Sequence, residues 1–100
     1  MTEPSLSLEE AGAVVATKTA PRVTVDSIKA KIASVEYVRH DILTLCIITM
    51  QNGFKTIGKS APASPENYDF EVGKTYAYED AFKPLWQLEG YLLRETLSKA

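Results

Sequence analysis

Cysteine and histidine are almost missing from this 100-residue chain, which has one of each, Cys46 and His40. A single cysteine excludes an intramolecular disulfide and a cysteine-based metal site, and a single histidine excludes a multi-histidine metal site. Cys46 stands in an apolar, strand-like run and His40 in a connection, so no nucleophile and base are placed together. We therefore expect a protein that is not an enzyme, with no cofactor and no metal.

An excess of positive charge is also missing, since 11 Lys and Arg residues face 13 Asp and Glu residues. Binding to DNA or RNA polymers depends on a basic surface that displaces counterions from phosphates. The composition therefore predicts no nucleic-acid polymer as partner. A small anionic ligand stays open, because it needs only a few cationic groups in one place.

Long apolar runs are missing as well, so the sequence predicts no membrane span. The first residues lack the order of basic and apolar segments that is typical of a signal peptide. With one cysteine, a reducing cytoplasm is the expected location.

The chain divides at about residue 22. Residues 1–22 are rich in small and polar side chains without sustained periodicity, and we expect a flexible N-terminal arm. Residues 23–100 should form a single α+β domain. Its first element is a predicted helix of about three turns, with Thr24 or Asp26 as cap, apolar residues Ile28, Ile32 and Val35 at helical spacing, and an end near residue 37.

A β-hairpin is predicted next. The apolar, β-branched segment 42–50 is followed by Asn52-Gly53, a pair typical of a type I′ turn, and then by segment 54–60. Alternation places Lys55 and Lys59 on one face, and Gly58 suggests a close backbone approach. Both faces of the first strand are apolar, so one face needs the helices and the other a second subunit.

The remainder is helical after a loop in which Ser64 and Pro65 are typical of a short helical turn. Residues 70–98 carry an apolar stripe at steps of three and four. Pro84 interrupts this pattern because it lacks an N–H donor. We expect a long C-terminal helical segment that is kinked or split at Pro84.

The candidate binding residues combine positive charge with flat aromatic faces, as a cyclic nucleotide requires for its phosphates and bases. An ordinary structural role is open for each: lysines protect sheet edges, and a tyrosine can cover the core. The candidate ligand-binding residues are Tyr37, Lys55, Lys59, Arg94, Tyr91 and Arg39.

Four segments together resemble a family of small phage early proteins: "KIASVEY" (31–37), "LTLCIITMQNGFKTIGKSA" (43–61), "SPENYD" (64–69) and "WQLEGYLLRETL" (86–97). The resemblance runs from about residue 23 to residue 97. The resemblance implies that this family contains the anti-CBASS sponges, which sequester cyclic di- and trinucleotide immune signals without cleaving them.

The resemblance implies a homo-hexamer with ligand pockets between protomers, acting in the cytoplasm of the infected bacterium. It implies that Tyr37 stacks on the ligand, that Lys55 or Lys59 binds phosphate, and that Arg94 helps to hold a second ligand. The chain departs from the family in its longer N-terminal arm and in the position of Pro84. The alternative function is a small protein-interaction module that inhibits a host protein.

Overall fold

The computed structural model describes residues 5–17 and 20–100. Three antiparallel strands form one sheet in the order β1-β2-β3, and the long helix α3 packs on one of its faces. The predicted α+β class, with an N-terminal helix, a β-hairpin and a long C-terminal helix, is confirmed. The elements are α1 (Leu8–Ala16), α2 (Val25–Lys29), β1 (Ile32–His40), β2 (Leu43–Met50), β3 (Lys55–Ser60), a 3-10 turn (Pro65–Asn67) and α3 (Phe70–Ser98).

Strand β1 corrects the prediction of a three-turn helix that ends near residue 37. The helix α2 is only five residues long, and the chain is already extended from Ile32. A β-bulge explains the misleading spacing: Ile32 pairs with Met50 and Val35 with Ile48, so one extra residue lies between the two positions. Because of that insertion, apolar residues three apart reach the same face of a strand, as they would on a helix.

Two tight turns connect the strands. Asp41 and Ile42 join β1 to β2, with Asp41 in the left-handed region at φ 57°, which aspartate tolerates better than most residues. The predicted hairpin between β2 and β3 is confirmed, but the prediction that its turn is of type I′ is wrong. Gly53 has φ 90°, whereas Asn52 does not have a positive φ. Met50 instead closes a three-residue loop by hydrogen bonds with Phe54 and Gly53.

The core lies between the sheet and α3. Gly58 of β3 is buried directly against the helix, where a Cβ atom would collide with the Ala77 carbonyl oxygen and the Ala81 nitrogen. The predicted close backbone approach at Gly58 is confirmed. Thr56 adds a buried hydrogen bond of 2.9 Å from its hydroxyl to the Ala81 carbonyl. The buried apolar residues are Ile28, Cys46, Ile48, Met50, Ala77, Ala81, Phe82 and Leu85.

Helix α3 begins at a well-formed cap and continues through its proline. The Asp69 carboxylate accepts hydrogen bonds from the backbone N–H groups of Glu71 and Val72, at 2.9 and 3.2 Å. The helix is continuous over 29 residues with Pro84 inside it, so of the two outcomes predicted at Pro84, a kink or a split, the split does not occur. Pro84 lies on the exposed side, where solvent can satisfy the carbonyl that loses its donor. The short turn after Ser64 is confirmed.

Helix α1 forms within the segment that was predicted to be a flexible arm. Ser7 and Glu10 form a capping box at its start, with hydrogen bonds of 3.0 and 3.1 Å. None of the residues of α1 is buried. Residues 1–4 and 18–19 of the predicted arm lie outside the described residues, and its flexibility stays a prediction.

Candidate functional site

The ring of Tyr37 on β1 lies near a cation of α3, the Lys74 ammonium. Tyr37 lies opposite Cys46 in the sheet, on the face that α3 covers, and its side of β1 is open enough to leave the residue 38% exposed. The Lys74 ammonium lies 5.5 Å from the centre of the Tyr37 ring and 5.0 Å from that of Phe70. At these distances the ammonium is attracted by the negative faces of both rings.

A cavity of about 430 Å³ opens beside this pair. Its volume lies within the roughly 300–1,000 Å³ that small-molecule sites occupy. The lining combines aromatic, hydroxyl and cationic groups with two carboxylates, of which Glu71 pairs with Lys74 at 2.9 Å. The lining residues are Tyr37, Glu71, Lys74, Thr75, Tyr78 and Glu79.

Burial favours the neutral forms of the two phenols that line the cavity and of the Cys46 thiol. Burial is the main cause that raises the pKa of the Tyr37 phenol, and burial also raises the pKa of Tyr78 and of the Cys46 thiol. Since Cys46 is fully buried and its pKa is raised, its thiol remains protonated at neutral pH and is a poor nucleophile. The cavity therefore offers hydrogen-bond donors and ring faces for binding.

Arg39 shares the face of Tyr37 but is engaged by another ring. Its guanidinium lies 4.3 Å from the centre of the Tyr68 ring, and its Nε donates to the Asp41 carbonyl at 3.1 Å. Two residues separate Arg39 from Tyr37 along β1, so the two side chains stand in neighbouring positions on the same face.

Lys55 and Lys59 lie on the opposite face of the sheet, on the other edge strand. Lys55 donates from its ammonium to the Thr49 hydroxyl at 2.8 Å. The backbone N–H of Lys59 donates to the Asp80 carboxylate at 2.9 Å, while the lysine side chain points to the exposed face. The predicted placement of both lysines on one face is confirmed, but within one chain that face is not the face of Tyr37.

Tyr91 and Arg94 occupy a third region, on the C-terminal half of α3. Tyr91 is 73% exposed and Arg94 is also exposed. The buried residues of α3 end at Leu85, so both side chains lie beyond the part of the helix that packs on the sheet. The six predicted binding residues therefore lie in three separate regions of one chain.

Lys74, Thr75 and Tyr78 were missed as candidates by the sequence reasoning. On α3 these three residues are separated from one another by one, three and four positions. In the sequence, that spacing is the spacing of the apolar helical stripe. Only the extended conformation of β1 brings Tyr37 onto them. The alternation of side chains between the two faces of β1 would have placed Tyr37 on the face of α3, if the bulge had been recognised.

Among residues 5–17 and 20–100, no three His, Cys, Asp or Glu side chains converge as a metal site would require. In the same ranges, no helix combines the length and the apolarity that are needed to span a bilayer.

The sequence model of the Phage protein (N4 Gp49/phage Sf6 gene 66) family matches residues 23–97. The chain belongs to this phage protein family. The predicted resemblance to a small phage protein family is thereby confirmed. The match runs from just before α2 almost to the end of α3, so the family's unit contains the whole sheet, the candidate cavity and the helix that covers the core. No curated protein and no solved structure matches the chain at a significant level.

Proposed function

We propose that this phage protein binds and sequesters cyclic di- or trinucleotide immune signals in the cytoplasm of the infected bacterium, without cleaving them. The observation that carries the proposal is the juxtaposition of the half-exposed Tyr37 ring with the Lys74 ammonium at an open cavity. A base stacks on the ring, and a phosphate pairs with the ammonium.

Lys74 takes the role of phosphate-binding cation beside Tyr37 in this proposal. The geometry favours it over Lys55 and Lys59, which face away from Tyr37 within one chain. That either of those lysines binds phosphate stays a prediction. Glu71 already pairs with Lys74, so an arriving phosphate exchanges one anionic partner for another and does not leave the lysine uncompensated.

Tyr91 and Arg94 can contact the proposed ligand only if copies of the chain assemble. They lie beyond the packed part of α3, and contact with a ligand at Tyr37 requires that they come from a neighbouring copy. We infer a homo-oligomer for this reason, and the resemblance implies a hexamer. Ligand pockets between copies would then combine residues that one chain keeps apart.

The bound signal leaves the protein chemically unchanged. The buried thiol of Cys46 has a raised pKa, and the tyrosines that line the cavity keep their protons at neutral pH. Groups in these states bind and orient a ligand but supply no activated nucleophile.

Thermal denaturation with a panel of cyclic di- and trinucleotides tests the binding. A ligand at one hundred times its Kd stabilises by about 2.7 kcal/mol, which raises the Tm by on the order of 10 °C for a domain of this size. Chromatography of the ligand after denaturation of the complex should recover it intact. No shift with any member of the panel would make the proposal wrong, and recovery of a cleaved product would indicate a hydrolase.

Variants locate the binding site. Tyr37→Leu removes the stacking face, which contributes about 1–3 kcal/mol per base, so its Kd should rise roughly 5- to 150-fold. Lys74→Gln removes the cation, and since a hydrogen bond to a charged group contributes about 1.5–3 kcal/mol, its Kd should rise roughly 10- to 150-fold. Tyr76→Leu and Lys83→Gln are matched controls on α3, exposed and outside this cavity. If the controls weaken binding as much as the two site variants, the ligand does not bind at Tyr37.

A second candidate function is that of an interaction module that inhibits a host protein. The observation in its favour is α1, where no residue is buried and Leu8 is 94% exposed. Exposed apolar side chains on one helix are typical of a peptide that docks in a partner's groove. A pull-down that captures one stoichiometric host protein, together with no nucleotide effect, would support this function.

A further inference from the structure

The sheet has one face that α3 does not cover. Side chains of alternate residues point to that face on all three strands, and its centre is apolar. Val38 and Ile57 are 44% and 62% exposed, while the apolar residues of β2 are half-buried. We call this surface the open face; its apolar residues are Val38, Leu43, Leu45, Ile47 and Ile57.

Opposite charges border the open face on its two edges. Glu36 of β1 and Ile57 of β3 lie in one row, since each pairs with Ile47. Lys55 and Lys59 stand two residues before and after Ile57, about 13 Å apart at roughly 3.3 Å per residue. Negative charge therefore lies on the β1 edge and positive charge on the β3 edge.

These charges have no ionic partner within the part of the chain that the structure describes. In residues 5–17 and 20–100, neither Glu36 nor either lysine takes part in an ion pair, and Lys55 reaches only the neutral Thr49 hydroxyl. A sheet face with an apolar centre and unpaired charges of opposite sign at its two edges is complementary to a copy of itself.

We propose that the open face packs against the open face of a second copy. A two-fold axis that runs along β2, between the two sheets, places β1 of one copy over β3 of the other. Aligned sheets pack about 10 Å apart, a distance that interdigitating side chains fill. Glu36 then lies between Lys55 and Lys59 of the second copy, and the symmetry repeats the same contact on the other side of the axis.

This interface assigns Lys55 and Lys59 to assembly and leaves Lys74 to the ligand. Because two identical contacts form, each copy contributes one carboxylate and two ammonium groups. The inference does not depend on a nucleotide, since the contacts involve only the protein. It gives the proposed homo-oligomer one defined interface, and it survives if the protein binds no nucleotide at all.

Charge exchange tests the interface without nucleotide. In E36K, and separately in K55E/K59E, like charges face each other across the axis in the variant's own assembly. Light scattering and native mass spectrometry should show that each variant alone forms a smaller assembly than the wild type, with self-association weakened at least about tenfold. An equimolar mixture should restore the wild-type mass, because both contact sets between the two variants are again of opposite sign.

Glu66→Lys is the matched control, an exposed charge reversal in the loop before α3. It should leave the mass unchanged. Circular dichroism establishes that each variant is folded before the masses are compared. Three results would overturn the proposal: a wild type that is monomeric at all concentrations, variants that keep the wild-type mass, or a mixture that does not restore that mass. In each of these cases the open face does not pair with a second copy, and α1 or another protein is left as its occupant.

Discussion

Substitution of Gly58 by alanine should destabilise the fold strongly. The added Cβ would meet the Ala77 carbonyl oxygen and the Ala81 nitrogen at distances that atoms do not adopt, and it would lie 2.9 Å from the Ala81 Cα. All three atoms belong to the backbone of α3, so no side-chain rotation can make room. The helix and β3 must separate at the centre of the core.

The loss in the free energy of unfolding depends on the contacts between β3 and α3 that this separation disturbs. Ala77 and Ala81 are fully buried, and the hydrogen bonds from Thr56 to the Ala81 carbonyl and from the Lys59 N–H to Asp80 join the same two elements. Overpacking of a core costs about 1–3 kcal/mol and occasionally more. Because the clash here is with helix backbone, we expect a loss of about 3 kcal/mol, the upper end of that range, and a fall in Tm of roughly 12–24 °C.

Urea denaturation followed by circular dichroism measures this loss as a difference in the free energy of unfolding. Gly90→Ala is the matched control, because a Cβ at Gly90 meets nothing within 4 Å. Alanine is better than glycine inside a helix, so the control should gain up to about 1 kcal/mol. A free energy of unfolding within about 0.5 kcal/mol of the wild type for Gly58→Ala would refute the argument that β3 and α3 touch through this glycine.

Two further predictions concern the helix cap and the pH dependence of stability. Asp69→Ala should cost about 0.5–2 kcal/mol in chemical denaturation, because it removes the acceptor for two N–H groups in the first turn of α3. Ser64→Ala is its control, since Ser64 caps no backbone N–H, and an equal cost for both would contradict the capping argument. The pKa values of Cys46, Tyr37 and Tyr78 are raised above their ordinary 9.0, 10.0 and 10.0, chiefly by burial, so their neutral forms stabilise the fold. That stabilisation is fully present below about pH 9 and is lost as the pH rises through the raised values, which a Tm series from pH 7 to 11 measures. A Tm that stays level across that range would contradict it.

The hairpin and α3 were predictable because their signals are local. The Asn52-Gly53 pair marks the turn between β2 and β3, and Gly58 marks the close approach of the helix. The apolar stripe of α3 persists on both sides of Pro84. Each of these signals depends on residues close together in the chain, which the sequence presents directly.

Strand β1 was not predictable in the same way, because two features imitate a helix. Ile28 belongs to a real helical turn, and the bulge then places Ile32 and Val35 three residues apart on one face of a strand. A continuous pattern at helical spacing results from two different structures. What separates them is the pairing with β2, a contact between distant parts of the chain.

The candidate site was predictable only in part for the same reason. Tyr37 was recognised as an aromatic residue that a ligand could contact, but its partner Lys74 depends on which face of which element Tyr37 occupies. Lys55 and Lys59 were correctly placed on one face of β3. That this face lies away from Tyr37 follows from the three-stranded sheet, which the sequence reasoning lacked.

The bulge in β1 also bears on aggregation through the edges of the sheet. Both β1 and β3 are edge strands. An edge strand with regular, unpaired N–H and C=O groups is a template for aggregation by addition of strands from other chains. The irregularity between Ile32 and Ser34 breaks that row of groups near its start, and the charged Glu36 and Arg39 border the rest. Strand addition at this edge is therefore disfavoured. The open-face contact that we propose is two-fold, so it closes after two copies and does not extend into fibrils.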